Sequence, residues 1–548
     1  MSRPQPRPPE VAPARGLPAA AFLPRRWAFA GLVALLALGL VGLSLRVLTP
    51  GGWTAWEGLL LACLVLNAPW VALAGATGLL GAGIRMGARD PVAAVLPVLR
   101  DLAADAPVRR RTLIAVCVRD EEMAAVLAPL GRLLDGLAGH AACFGLAILS
   151  DSARADGEAA AVARFAASRP AGQVRYRRRA DNAGYKAGNV MDCLDHHAEG
   201  FDFLLLLDAD SEMTAPAVLR MVRVMQADPG LAILQSTIAS RPASAPFPRM
   251  LGFGHRPGSL TWATGQAWWQ GAEGPYWGHN ALIRIAPFRT DARLGTLPDG
   301  RHILSHDHVE AARLHAAGWA VRVLPDGDIA EDGSREAQPP NLPEFLQRDR
   351  RWAAGNMQYL HLLRRPDLGA LGRFQMLQAI LHYALAPAWF AMLPLAVLNV
   401  GTDAATPRGA LLALLGLGFA LLHLPRLAGH AEALWRGPGS GRGAYLRRML
   451  HEAGFLLMFD SILAFDRTLT VLAAGRRREW AAQHRAERVV GWREAARLLW
   501  PHTVMGGVLV VVLAAHDSGF ALAVALPVVA GLLLAVPFAV LTARPDAA

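Results

Sequence analysis

Apolar and polar positions are distributed along this chain on two different scales. Long apolar blocks lie at 27–48, 54–80, 376–400, 409–428, 450–474, 499–515 and 518–541. Most reach the ~20 residues a helix needs to cross a bilayer. Between 106 and 345 the composition is mixed, and the apolar runs shorten to strand length. Thr112–Val118, Phe144–Ser150, Phe203–Leu207 and Leu231–Ser236 read as strands. Helices are expected at 156–168, 186–197, 214–227 and 307–317, with another opened by the acids of Arg119-Asp120-Glu121-Glu122. Strands and helices alternating in this way predict a mostly parallel sheet covered by helices on both faces. The pattern therefore predicts a Rossmann-like α/β domain within an α-helical transmembrane protein.

Composition fixes the membrane reading. The 548 residues are 53% hydrophobic with a mean hydropathy of +0.28, too apolar for an ordinary soluble enzyme. Residues 1–26 form a Pro/Arg-rich arm, expected to be disordered. Arg3, Arg7, Arg15, Arg25 and Arg26 place it in the cytoplasm by the positive-inside rule. The first span lacks a clear small-residue cleavage site and reads as an anchor. Two helices within 27–83 return the chain, so 106–345 is expected in the cytosol. An amphipathic interface segment follows at 346–371, then two helices within 372–428 and two more within 499–543. The stretch 429–498 is basic and expected inside. Block 450–474 carries Asp460, Asp466 and Arg467, costly in mid-bilayer, and is predicted to be interfacial, re-entrant or a hairpin.

The net charge of +11 is almost wholly arginine, and Lys186 is the only lysine. The arginine clusters border the spans, which points to anionic headgroups of the lipid bilayer and away from nucleic acid. Four scattered cysteines without a CxxC give no zinc site.

Candidate chemistry gathers where strands end. The run 203–207 leads into Asp208 and Asp210, hard oxygen donors suited to Mg2+ or Mn2+, or else a turn using Asp for local hydrogen bonds. Asp151 follows the second strand, placed to meet a base or ribose, or to cap the next helix. Lys186 opens a helix after a basic, glycine-containing stretch, an arrangement that fits a pyrophosphate. Residues 259–284 are dense in aromatics, including Trp262, Trp268, Trp269, Trp277 and neighbouring His279. They suit either stacking on sugar rings or a seat against the membrane. Asp307 begins a helix and can act as general base or simply as an N-terminal acid. Arg348, Arg351 and Trp352 lie on an amphipathic stretch and suit phosphate and sugar contacts or an interfacial anchor.

The order of these motifs resembles the membrane-integrated family 2 glycosyltransferases, which include cellulose, chitin and hyaluronan synthases. Within them the likeness is to the glucosyltransferase H family, synthases of osmoregulated periplasmic glucans. The matching stretches are FGLAILSDS, VRYRRRADNAGYKAGN, FDFLLLLDADSEMT, GPYWGHNALIRI, ILSHDHVEAARLHAAGW and QRDRRWAAGNMQYL. The usual Thr-Glu-Asp reads Ser305-His306-Asp307, and the leading Gln of Q-x-x-R-W reads Arg348, with Gln347 one place earlier. The resemblance implies a GT-A fold, a UDP-glucose donor and an inverting reaction that builds a growing β-1,2-linked glucan in the bacterial inner membrane. It assigns uridine contact to Asp151 and nucleotide or phosphate contact to Lys186. Asp208 would meet the nucleotide sugar, beside Asp210 as metal ligand. Asp307 would be the base, Arg351 would steady the leaving diphosphate, and Trp352 would stack the acceptor glucose. Arg348, Trp277 and His279 complete the expected acceptor wall. Acyl carrier protein and periplasmic glucan-processing proteins are the further partners it brings. The alternatives are another processive β-glucan synthase, cellulose- or β-1,3-glucan-type, or a non-catalytic membrane scaffold or transporter with a vestigial transferase domain. The acids at 151, 208, 210 and 307 favour an enzyme.

Overall fold

The computed structural model describes residues 19–153, 156–326, 333–402, 406–473, 486–516 and 518–545. Most of the N-terminal arm and the arginines at 476–478 and 485 lie outside these. Among the described residues there are ten strands: β1 Thr112–Val118, β2 Phe144–Ser150, β3 Val174–Arg178, β4 Phe203–Asp208, β5 Glu212–Met213, β6 Leu231–Ser236, β7 Ala239–Ser240, β8 Ala281–Arg284, β9 Ala320–Leu324 and β10 Ser334–Glu336. Seven form the main sheet in the order β3-β2-β1-β4-β8-β6-β9. All pairings in it are parallel except those of β8, which runs against both β4 and β6. The sheet is therefore mixed, with the strand order reversing beside β1 and β4, where open α/β sheets place ligands.

The central strand shows why the sequence folds this way. Phe203, Leu205 and Leu207 point into a core shared with helices Met123–Gly136 and Ala215–Ala227. Leu204 and Leu206 point the other way, toward helices Tyr185–His196 and Asp307–Ala316. All five are essentially solvent-free, and each contributes about 1.5–3 kcal/mol by burial. A strand buried on both faces has no polar alternation, which is the reason it appears as a continuous apolar run.

A second sheet of three short strands, β5-β10-β7, sits beyond the C-terminal ends of the main strands. It joins the segment after β9 to the turn after β4, through Arg335 opposite both Glu212 and Ala239.

Four helices are long and apolar enough to cross a membrane: Leu23–Leu48, Ala55–Gly87, Ala370–Val400 and Trp492–Ala515. Counting each of two bent pairs as one span gives six among the described residues. These pairs are Arg408–Leu422 with Leu424–Arg436, bent by 73°, and Gly519–Leu533 with Ala535–Thr542, bent by 62°. Helix Ala55–Gly87 is the hub, packed on the first span, on 386–400, on both halves of the 408–436 pair and on helix Pro246–Gln270. The last crossing needs small residues. A Cβ on Gly81 would strike the Thr261 carbonyl, and one on Gly265 would strike that of Thr77.

Two expectations are corrected, and one open alternative is decided. Block 450–474 is no hairpin but part of one continuous helix, Arg442–Leu472. Asp466 and Arg467 are paired across to helix Leu342–Met357, whereas Asp460 lies 3.3 Å from His423. Asp349 takes a two-pronged bond from Arg467 (2.7 and 2.9 Å), and Asp466 takes one from Arg350. Arg119–Glu122 do not form a first helical turn. Asp120 turns the chain in a left-handed conformation (φ 58°), and its N–H and carboxylate tie to Ser152 and Ala153. The helix starts at Met123. Trp262, Trp268 and Trp269 belong to helix Pro246–Gln270 and seat against the spans. Trp269 stacks on Phe29 with ring centres 4.4 Å apart.

Asp349→Ala leaves Arg467 buried without its partner and is expected to destabilise the protein by about 3–5 kcal/mol. The exchanged pair Asp349→Arg/Arg467→Asp should recover most of that loss. Thermal denaturation of the detergent-purified full chain compares the three.

Candidate active site

Asp208 closes β4, and the chain turns at once, with the Ser211 N–H donating to the Asp208 carbonyl (3.0 Å) and the Ser211 hydroxyl accepting the Asp208 N–H (3.1 Å). Local bonding thus uses Ser211 and the backbone and leaves the Asp208 carboxylate facing outward. Lys186, in the first turn of helix Tyr185–His196, ion-pairs with that carboxylate and donates to the Gly278 carbonyl (2.8 Å). Burial disfavours the ammonium, but Asp208 outweighs it and raises the Lys186 pKa above its ordinary value. Gly184 precedes this helix at φ 70°, the left-handed turn that brings Lys186 round.

The loop 277–280 forms the facing wall. Gly278 (φ 83°) and Asn280 (φ 49°) both take left-handed conformations. A buried polar net holds them there. Gln235 accepts from the Trp277 N–H (2.9 Å) and donates to the His279 carbonyl (2.9 Å). Asn280 donates to the Ser334 hydroxyl (2.8 Å). Asp208, His279 and Glu336 consequently offer ligand atoms all within 4.8 Å of one another. Two carboxylates and an imidazole are a chemically sound set for a divalent cation. Asp210 is not in that group. Its charge acts on Arg348, together with that of Glu336.

Behind Gly278 stand His306 and Asp307, whose nearest atoms lie 3.6 Å from where a Gly278 Cβ would be. His306 binds buried Glu310 (2.7 Å), and His308 lies 3.6 Å from the Asp307 carboxylate. Burial alone would raise the Asp307 pKa, but His308 and His306 overcome it and hold the carboxyl well below the usual range. Burial would lower His306 and His308; Glu310 and Asp307 respectively raise them above an ordinary imidazole.

Asp151 directly follows β2. Both its oxygens are taken by Arg179 (2.8 and 2.7 Å), which also donates to the Ala183 and Tyr185 carbonyls just before Lys186. On the other side, helix Leu342–Met357 carries Arg348, Arg351 and Trp352. Arg348 lies flat on the half-exposed Trp352 ring, 4.6 Å from its centre. The structure therefore brings Lys186, Asp208, Trp277, His279 and Asp307 around one cleft wall. Asp151 adjoins it through Arg179, and Arg348 adjoins it through the charges of Asp210 and Glu336. Sequence reasoning missed Glu336, Arg179 and Glu310. Glu336 lies on a three-residue strand with no periodicity to reveal it. Arg179 was visible as the last residue of the basic run leading to Lys186.

A mixed α/β sheet of GT-A type, with acids gathered beyond the end of β4 and spans on either side in sequence, defines a membrane-embedded glycosyltransferase. The profile described as "Glycosyl transferase family group 2" matches residues 203–424. A glucans biosynthesis glucosyltransferase H of Caulobacter vibrioides is 32% identical over 95% of this chain and 82% of its own. One from Xanthomonas campestris pv. campestris is 37% identical over 64% of this chain and 54% of its own. The chain belongs to the glucans biosynthesis glucosyltransferase H family. Among solved structures, a mannosyltransferase from Pyrobaculum calidifontis in complex with GDP-Man and Mn2+ is 17% identical. It covers 66% of this chain and 99% of its own, at a TM-score of 0.42.

Because the folded pKa of His308 is raised, its pairing with Asp307 stabilises the protein fully below the ordinary imidazole value of about 6.5 and fades as pH climbs through the raised value. His308→Gln should therefore lower the melting midpoint most near pH ~6 and least in alkaline buffer. A denaturation series across pH tests this; a constant difference would contradict it.

Proposed function

We propose that this glucosyltransferase takes UDP-glucose and extends a β-1,2-linked glucan by inversion at the anomeric carbon, passing the product across the inner membrane. The observation that supports this most is the single wall joining Asp208, His279 and Glu336 to Gly278, with Asp307 behind it. A donor diphosphate bound at the first three would then have a carboxylate close by, on the acceptor side. Relatives named for glucan biosynthesis support the substrate class.

Asp208, His279 and Glu336 would hold the divalent cation, and an imidazole in the set favours Mn2+ over Mg2+. The metal would supply charge stabilisation for the departing diphosphate. Lys186, which pairs with Asp208, is proposed to give its ammonium to a phosphate when Asp208 is engaged. Asp210 stays on the donor side, its charge offset by Arg348. Asp151 and Arg179 would border the uridine, and Arg351 would steady the diphosphate. Asp307 takes the proton of the acceptor hydroxyl. It is ionised at neutral pH, but its lowered pKa makes it a weaker proton acceptor than an ordinary carboxylate, so the base role rests on its position behind Gly278. Trp352, backed by Arg348, would stack the acceptor sugar, and Trp277 would line the approach. The catalytic domain would lie in the cytosol.

Asp307→Asn should cut UDP release from UDP-glucose by about 10²–10⁴-fold at unchanged protein level. Linkage analysis of polymer made from labelled UDP-glucose decides the product. A cellulose-type or β-1,3 linkage would overturn the β-1,2 reading. Glu336→Gln should weaken Mn2+ binding in the presence of UDP by at least about tenfold, read by electron paramagnetic resonance of free Mn2+.

A further inference from the structure

A second charged cavity lies where the hub span hands the chain on toward the transferase. Its volume is about 340 Å³, and it is lined by Arg85, Met86, Ala88, Arg89, Trp435 and Arg436. Arg85 lies in the last turn of helix Ala55–Gly87, and Arg436 in the last turn of Leu424–Arg436. One buried carboxylate organises them. Glu432 takes a two-pronged bond from Arg85 (2.5 and 2.9 Å) and a third from the Arg436 Nε (2.9 Å). This fixes two guanidinium groups in place before any ligand arrives.

Glu432 does not neutralise the cavity. Three guanidinium groups face one lining-associated carboxylate, and the Arg436 side chain is 57% exposed despite its pair. Arg89 is exposed and has no ion-pair partner among the described residues. The neighbouring Asp90 turns instead to cap helix Pro91–Val95 through the Val92 and Ala93 N–H groups. Two converging helix C-termini add partial negative charge here, but fixed arginines of full charge exceed it. The chemistry recognised by such a set is a phosphate, through the planar fork of arginine.

The surroundings say where that phosphate comes from. Trp435 is 62% exposed at the rim, and Leu79, Met86 and Leu427 are exposed on the same two helices. An indole beside arginines at the end of a span is the arrangement of the headgroup layer. Apolar side chains on the adjoining helix flanks suit acyl chains. We infer that this cavity binds the headgroup phosphate of an anionic phospholipid at the transferase end of the spans. Glu432 serves as the internal brace of the site.

The test titrates the detergent-purified full chain with phosphatidylglycerol or phosphatidylcholine and counts bound lipid by native mass spectrometry. Phosphatidylglycerol should occupy one site ahead of the rest. Losing each guanidinium costs about fivefold in affinity, so Arg89→Gln/Arg436→Gln should weaken that site by about 25-fold. Arg447→Gln/Arg448→Gln removes the same charge from exposed positions outside the cavity and should leave the site intact. Unchanged melting midpoints without lipid certify that both variants fold. Equal weakening by both variants, or no preference over phosphatidylcholine, overturns the site. Displacement of the lipid by millimolar inorganic phosphate overturns its assignment to lipid and leaves a soluble phosphate as the ligand.

Discussion

Charges removed from water must be paired, and in this protein that constraint joins the helix after the transferase sheet to helix Arg442–Leu472, which packs on the spans. Asp349 and Asp466 are almost solvent-free, and they are satisfied by Arg467 and Arg350 on opposite helices. The two ion pairs cross between Leu342–Met357 and Arg442–Leu472, so neither helix can slide or rotate without stranding a buried charge. Tyr383, on the span Ala370–Val400, adds its hydroxyl to Asp349 (3.3 Å). Helix Leu342–Met357 is thereby pinned by charge as well as by apolar contact.

The cleft depends on a related economy of polar groups. Gln235, Ser236, Asn280 and Ser334 are all buried, and they bond to one another and to the loop backbone. That net compensates for two left-handed residues in a four-residue loop, and strained backbone persists only where surroundings over-determine it. The reward is placement. His279 comes to Asp208 and Glu336, while the carbonyl of Gly278 comes to Lys186. The short sheet β5-β10-β7 supplies Ser334 and Glu336 from a distant part of the chain, so one small feature serves both the scaffold and the ligand group.

Much of this was legible in sequence because it is local. Strands β1, β2 and β6 were read at their observed bounds, and β4 to within one residue, since a buried strand is a compact apolar signal between turn residues. The helix starts at Lys186 and Asp307 followed from local punctuation. What was not legible depends on partners far away. Asp466 and Arg467 looked too costly for a plain helix because their partners, Arg350 and Asp349, lie more than a hundred residues earlier. The tryptophans of 262–269 could serve a sugar or a membrane equally until helix Pro246–Gln270 was seen against the spans. Glu336 gave no signal, because its position is set by pairing with β5 and β7, not by its own surroundings.

Helix Leu342–Met357 shows how these constraints meet. Successive residues on a helix point about 100° apart, so four neighbours can face different structures. Asp349 and Arg350 face the helix Arg442–Leu472 and are fixed there. Trp352 is left half-exposed, with Arg348 one turn earlier stacked on its ring. Gly355, a further turn on, packs so closely on Ser305 that a Cβ would strike its hydroxyl. The helix is thus held at one point by the paired charges of helix Arg442–Leu472 and at another by the segment leading to Asp307. The proposed acceptor platform at Trp352 lies between those two points, so its distance from the proposed base is set by backbone packing on one side and paired charge on the other.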